Sequence, residues 1–426
     1  MRAAPTRIHR SASCHAFLVV HGVIEPGFEP VAAQLASQLA RTRGGAAVCV
    51  YHRGRCVVDV WGGVKDEDGR PWQRDTMAVS YSTTKGVVST ALHVLADRRE
   101  LDYDAPVARY WPAFAQAGKS GITVRDVLAH KAGLFNIRDL IDDARRMLDW
   151  DHMVDALAAA APAPVPPGAT AYQALTYGYV VGELIRRISG RPVPQFLADE
   201  LAGPLGLDGL YIGAPASELH RAARLVGSPA RRARSGGADD DTFGAQRRRR
   251  QRLFRAAERA LRLFGHPVDF QRAAAALAPR GISTFDFSND EVLQACIPAA
   301  NGLFTARSLA RLYATLAAGG SLDGVRLLSP ETIARATEIQ SQGYDQVTIF
   351  RMRWRLGYHR VGSFRGVPPR AFGHFGWGGS GAWGDPDSEV SLGFVVNTGS
   401  GTPIGDLRIL RLTTAALACA RRSPRR

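Results

Sequence analysis

Two stretches near opposite ends of the chain carry its clearest strand patterns, and their separation constrains the fold more than any other feature. AAVCVYHRGRCVVDVWG at 46–62 sets two β-branched apolar runs around a polar His-Arg-Gly-Arg turn, the pattern of an antiparallel hairpin. EVSLGFVVN at 389–397 closes a segment, 371–397, in which apolar runs alternate with glycine-rich turns, as returning strands do. Between these ends the apolar periodicity is helical. Val87, Val88, Ala91, Leu92, Val94 and Leu95 recur at helical spacing between Ser82 and Glu100. ITVRDVLAHKAGL at 122–134 and ALTYGYVVGELIRRISG at 174–190 read as further helices stopped by Gly133 and Gly190, and LRILRLTTAALACA at 407–420 reads as a last one. Strands at both ends around a helical middle specify an α+β fold, with an antiparallel sheet built from both chain ends and flanked by helices. The expected division is an N-terminal extension, 1–20, followed by one domain, 21–426. Within it, 21–80 and 300–426 form the α/β part and 81–299 the mainly helical part, which carries a basic insertion at 228–290.

The formal charge of +15 invites a nucleic-acid or membrane reading, but its source is local. Between Arg231 and Arg262 eleven arginines stand against Asp239, Asp240, Asp241 and Glu258, a net +7 in one stretch. No zinc finger, RNP-type strand or helix-turn-helix pattern accompanies it, so nucleic acid is not an expected partner. QRLFRAAERALRLF at 251–264 places Leu253, Phe254, Ala257, Leu261 and Phe264 near one helical face. The stretch 247–264 therefore suits peripheral contact with an anionic membrane, or a solvated helix over the entrance of a site. No run reaches the roughly 18 apolar residues of a membrane span. Cys14, Cys49, Cys56, Cys296 and Cys419 are odd in number and show no CxxC or Cys/His ligand pattern. They read as reduced thiols, and with no clear secretory signal the expected location is cytoplasmic.

The chemistry points to Ser82-Thr83-Thr84-Lys85, an S-x-x-K at a helix N-terminus. Residues i and i+3 share a helix face, so a Lys amine with a lowered pKa can take the proton of the Ser hydroxyl. The helix N-terminus disfavours the ammonium and presents N–H groups to a developing oxyanion. Of 54 cationic residues only Lys65, Lys85, Lys119 and Lys131 are lysine. A chain that uses arginine by default keeps a lysine where a group must shed its proton, which arginine cannot do.

These residues, with HGVIEPGFEPVAAQL at 21–35, VVDVWGG at 57–63, LDYDAPVARYWPAF at 101–114, ITVRDVLAHKAGL at 122–134 and the C-terminal glycine-rich strand, resemble the β-lactamase-like serine hydrolases. That family includes class C β-lactamases, D-alanyl-D-alanine carboxypeptidases, family VIII carboxylesterases and some acyltransferases. The resemblance implies a β-lactamase/transpeptidase-like fold and an acyl-enzyme on Ser82. It gives Tyr172, in PPGATAYQALTYGY at 166–179, the part of a proton carrier between nucleophile, Lys85 and leaving group. The family's Tyr-x-Asn is incomplete, since Ala174 stands where the Asn belongs; this departure bears on β-lactam recognition more than on ester hydrolysis. Tyr177 and Tyr179 are the alternatives to Tyr172. The family's Lys-Thr-Gly is represented by His374-Phe375-Gly376 in FGHFGWGGSGAWGDP, and the backbone N–H of the following Trp377 would join that of Ser82 in an oxyanion hole. A register slipped to Trp377-Gly378-Gly379, and a purely structural His374, remain open at this point.

His130 and Asp126 lie one helical turn apart but lack a third ligand, so they read as packing or capping residues, and neither metal nor cofactor is expected. Asn301, in AANGLFTARSLARLY, reads as a helix cap. No G-x-S-x-G elbow occurs, and Ser380 lacks the flanks of one. The reading is a serine hydrolase acting on small-molecule carboxylic esters. Acyl transfer and β-lactam hydrolysis on the same site are the catalytic alternatives, and a membrane-surface or binding protein that retains the fold is the non-catalytic one.

Overall fold

The computed structural model describes residues 20–227, 270–398, 402 and 405–423. The expected N-terminal extension, apart from Val20, the loop and basic stretch through 264, and the membrane contact assigned to 247–264 lie outside the described residues. At the centre is a seven-stranded sheet formed by β1 (His21–Ile24), β2 (Ala46–His52), β3 (Arg55–Gly62), β4 (His359–Arg360), β5 (Phe372–Phe375), β6 (Gly381–Asp385) and β7 (Val390–Val396). Its order is β1-β3-β2-β7-β6-β5-β4, with every pair antiparallel. The two chain ends meet in the middle, where β7 pairs with β2 from Val390 opposite His52 to Val396 opposite Ala46. The hairpin turn is left-handed at both central residues, Arg53 (φ 52°) and Gly54 (φ 74°), whose twist matches that of the flanking strands.

Five helices matter for the site: α1 (Glu29–Leu39), α2 (Thr83–Asp97), α3 (Thr176–Ser189), α4 (Ala306–Ala317) and α5 (Leu407–Arg422). Alternation along the strands decides which helix lies where. Val48, Val50, Leu392 and Phe394 point to one face and form a core with Val31 and Leu35 of α1 and with Ile409, Leu412 and Ala416 of α5. Ala47, Cys49 and Tyr51 point to the other face and join the larger core, with Leu309, Leu312 and Tyr313 of α4 and the helical half beyond. α4 lies directly on the sheet backbone, because two strand positions lack a side chain. A Cβ on Gly393 would stand 2.2 Å from the Ala306 carbonyl oxygen, and one on Gly384 2.7 Å from that of Tyr313.

In the helical half α2 is buried from Thr83 to Ala96. α3 ends as its sequence implies, on Gly190 in a left-handed conformation. The helix expected over 122–134 is much shorter, Val124–Leu128, opened by a capping box between Thr123 and Asp126. It stops because His130 turns left-handed (φ 58°) and sends the chain toward the interior. No helix among the described residues is long and apolar enough to cross a membrane.

The close approach at Gly393 yields a stability prediction. Gly393→Ala is expected to cost about 1–3 kcal/mol, the range for overpacking a filled interior. Gly121→Ala, where a Cβ meets nothing within 4 Å, serves as the control. Denaturant unfolding of both variants measures the difference; equal midpoints would show that α4 does not rest on β7.

Candidate active site

Ser82 stands where the short strand Ala78–Val79 hands over to α2. The reversal is made at Tyr81, whose left-handed backbone (φ 43°) costs a non-glycine residue about 1 kcal/mol or more. Neighbours hold it in place. The Tyr81 ring lies 5.2 Å from that of Phe287, the Ser80 N–H donates to Gly302 O at 2.9 Å, and Thr83 Oγ1 donates to Ser380 O at 3.2 Å. Ser82 occupies the N-cap of α2, yet its hydroxyl caps no backbone N–H.

One helical turn on, Lys85 Nζ lies 3.0 Å from Ser82 Oγ and donates to the carbonyls of Ala174 at 2.5 Å and Ala299 at 3.0 Å. The side chain is fully buried, and burial pulls the amine well below its ordinary pKa. The two carbonyls and Ser82 Oγ thus surround the nitrogen, and its lowered pKa suits it to exchange a proton with the Ser82 hydroxyl. Ala299 is fixed by Asn301, whose Oδ1 accepts from Ile297 N–H at 3.0 Å and whose Nδ2 donates to Val292 O at 2.7 Å. Asn301 therefore does not cap α4, whose N-cap is Thr305; its amide meets the carbonyls of Val292 and Ala295 at the end of the helix Asp290–Gln294.

The structure also brings Tyr172 to this place. Its hydroxyl is buried without a formed hydrogen bond, burial raises its pKa, and the nearby Ser82 hydroxyl draws it partly back. Lys85 Nζ sits 4.9 Å from the centre of its ring. The alternatives are engaged elsewhere: Tyr177 Oη bonds Ser89 Oγ at 2.6 Å, and Tyr179 Oη donates to Met147 O at 2.5 Å. His130 packs edge-on against Tyr172 at 4.9 Å, and its Nδ1 accepts from Gln173 N–H at 3.3 Å. Asp126 belongs to the capping box.

On the opposite wall His374 lies within β5, whereas Trp377, Gly378 and Gly379 form a turn beyond the strand. His374 is buried, and burial first, then His359 and Lys85, hold its pKa well down. The neutral ring presents Nδ1 to Phe375 O at 3.0 Å and leaves Nε2 buried without a protein partner. Gly376 passes so near the nucleophile turn that a Cβ would stand 2.2 Å from Ser80 O and 3.1 Å from Ser82 N. Among the described residues, neither Ser82 N–H nor Trp377 N–H donates to a protein carbonyl.

Sequence reading missed three residues of this cluster. Asp345 accepts from Tyr172 N–H at 3.2 Å, Trp354 stacks on the Tyr172 ring at 5.4 Å and 4°, and His359 Nε2 accepts from Phe375 N–H at 3.0 Å. They lie in SQGYDQVTIFRMRWRLGYHR at 341–360, which has neither a strand nor a helix period. No local signal in that stretch points to the site.

The sequence profile of the Beta-lactamase family matches residues 31–416. The esterase/beta-lactamase LipL of Mycobacterium tuberculosis is 37% identical over 396 residues, spanning 91% of this chain and 86% of that protein. A family VIII carboxylesterase of known structure superposes with a TM-score of 0.79 at 33% identity, covering 94% of this chain and 100% of that one. A penicillin-binding protein homologue from Caulobacter crescentus gives 0.78 at 34%, with the same coverage. With a buried Ser-Lys pair at the head of a helix and these matches along nearly its whole length, the chain belongs to the β-lactamase family and is a hydrolase of the β-lactamase and esterase kind.

Proposed function

We propose that the protein hydrolyses small carboxylic esters through an acyl-enzyme on Ser82. The observation that carries this reading is the fully buried Lys85 side chain, its Nζ within hydrogen-bond distance of Ser82 Oγ and of two backbone carbonyls. Lys85 takes the hydroxyl proton as Oγ attacks the ester carbonyl. The N–H groups of Ser82 and Trp377 receive the oxyanion, each donor of this kind being worth roughly 3 kcal/mol. Tyr172, kept protonated by burial, gives its proton to the departing alcohol and recovers one from Lys85. Water then attacks the acyl-enzyme by the same route in reverse, and an alcohol in its place makes the product a new ester. The free thiols of Cys49, Cys56, Cys296 and Cys419 support a cytoplasmic setting.

The substrate side of the cleft favours neutral esters. Ala174 occupies the place of the family's Asn and offers Lys85 only its carbonyl. His374, in place of a lysine, is a buried neutral ring and supplies no charge for the carboxylate of a β-lactam. β-Lactam hydrolysis is the second reading, drawn from the double name of the relative LipL. It predicts turnover of a chromogenic cephalosporin at a rate comparable with that of esters.

Four outcomes follow for a short-chain p-nitrophenyl ester. Ser82→Ala is expected to lower kcat by about 10⁴-fold or more; equal turnover of the two proteins would remove Ser82 from the mechanism. Lys85→Arg, which cannot shed its proton, is expected to lose about 10²- to 10⁴-fold across neutral and mildly alkaline pH. In the unaltered enzyme the base is the deprotonated amine and burial lowers its pKa, so kcat/KM is expected to fall as pH drops through that lowered pKa, below the ordinary lysine range. A fall centred at the ordinary lysine pKa would contradict the buried base. Gly376→Val, which drives a side chain into Ser80 O, is expected to cost about 10²-fold in kcat, measured with KM to separate it from weaker binding.

A further inference from the structure

Asp345 is a buried carboxylate that forms no ion pair among the described residues. Five donors satisfy it instead. Its Oδ1 accepts from the backbone N–H groups of Tyr172 at 3.2 Å, Val347 at 3.0 Å and Thr348 at 2.8 Å. Its Oδ2 accepts from Thr170 Oγ1 at 2.8 Å and from Trp354 Nε1 at 3.3 Å. The indole N–H is shared with Thr170 Oγ1 at 3.0 Å. An uncompensated charge taken out of water is tolerated only when its lone pairs are filled in this way. Three of the five donors lead to the same phenol. One is the Tyr172 backbone, a second is two residues before it, and a third belongs to the ring stacked almost parallel on Tyr172. The Tyr172 hydroxyl has no formed hydrogen bond of its own, so its place relative to Ser82 and Lys85 is set from the backbone and the ring face.

We infer that Asp345 is the positioning residue for Tyr172, holding its backbone directly and its ring through Thr170 and Trp354, and so aiming the phenol proton at the departing alcohol. The inference rests on Tyr172 being the proton donor to that alcohol. Its signature is dependence on the leaving group. A p-nitrophenolate departs as the anion and needs little help, whereas ethoxide must be protonated as it leaves.

The test compares p-nitrophenyl and ethyl esters of one acid in the full-length protein bearing Asp345→Asn, Thr170→Val, Tyr172→Phe or the Tyr172→Phe/Asp345→Asn pair, with thermal unfolding recorded for each. Tyr172→Phe is expected to lose about tenfold or more additional kcat/KM on the ethyl ester. Asp345→Asn is expected to show the same selective loss in smaller measure, Thr170→Val a weaker one still, and the double variant no loss beyond Tyr172→Phe alone. If Tyr172→Phe loses equally on both esters, the assignment of Tyr172 as proton donor falls. If Tyr172→Phe is selective but Asp345→Asn loses equally on both, or adds its full loss to the double variant, Asp345 is a structural residue and the inference is overturned. Should Asp345→Asn fail to fold, Thr170→Val decides on the same criterion.

Discussion

The burial of one lysine amine governs the rest of this site. A lysine that must act as a base cannot stand beside a carboxylate, since an ion pair would hold its proton. It also cannot stand in water, which favours the ammonium. Lys85 meets both conditions by lying inside a helix buried on all sides, with two peptide carbonyls and the Ser82 hydroxyl as its partners. The neighbours follow suit. Burial lowers the pKa of His130 and His374, pulls that of His359 down to about 4 and raises that of Tyr172. Burial thus favours the uncharged form of each of these groups.

Such a pocket needs walls from distant parts of the chain, and the sheet topology provides them. β7 pairs with β2 at the centre, and β5 is thereby set two strands away, with its end against Ser80 and Ser82. Ser82 comes from the first quarter of the sequence, Tyr172 from the middle and the wall of His374 and Gly376 from the last. Nothing local holds them together. Their relative placement depends on the two glycines that let α4 settle on β6 and β7, and on the Asn301 and Asp345 loops that brace Ala299 and Tyr172.

The hairpin, the glycine-stopped α3, the long α5 and the S-x-x-K were legible because each rests on a local rule of period, turn chemistry or helix spacing. Tyr172 and His374 were legible only through resemblance, since nothing in PPGATAYQALTYGY distinguishes three tyrosines by themselves. The helix over 122–134 was read too long because its apolar spacing continues past the point where His130 turns left-handed to pack on Tyr172. Asn301 was read as a cap of the helix it precedes because Asn near a helix start usually is one; its amide instead bonds back to Val292 and Ala295 at the end of the preceding helix. Asp345 gave no signal at all, because its partners at 170, 172 and 354 meet it only in three dimensions.

The scarcity of lysine, which helped single out Lys85, has a different physical origin from the one its sequence suggests. All four lysines donate to backbone carbonyls: Lys65 to His220 O at 2.8 Å, Lys131 to Gln340 O at 3.0 Å, Lys119 to Gln116 O at 2.8 Å and Ala158 O at 2.9 Å, and Lys85 to its own pair. None forms an ion pair among the described residues, where the carboxylate partners are arginines, as in Arg186 and Arg187 on Glu183. The division follows shape. A planar guanidinium fork matches a carboxylate, and a compact tetrahedral ammonium or amine matches carbonyls converging from separate segments. Lysine is thus retained here for gathering loop ends, and Lys119 is as buried in its setting as Lys85. What separates Lys85 is the hydroxyl 3.0 Å away. The same carbonyl-gathering geometry that anchors the other lysines holds its Nζ against Ser82 Oγ.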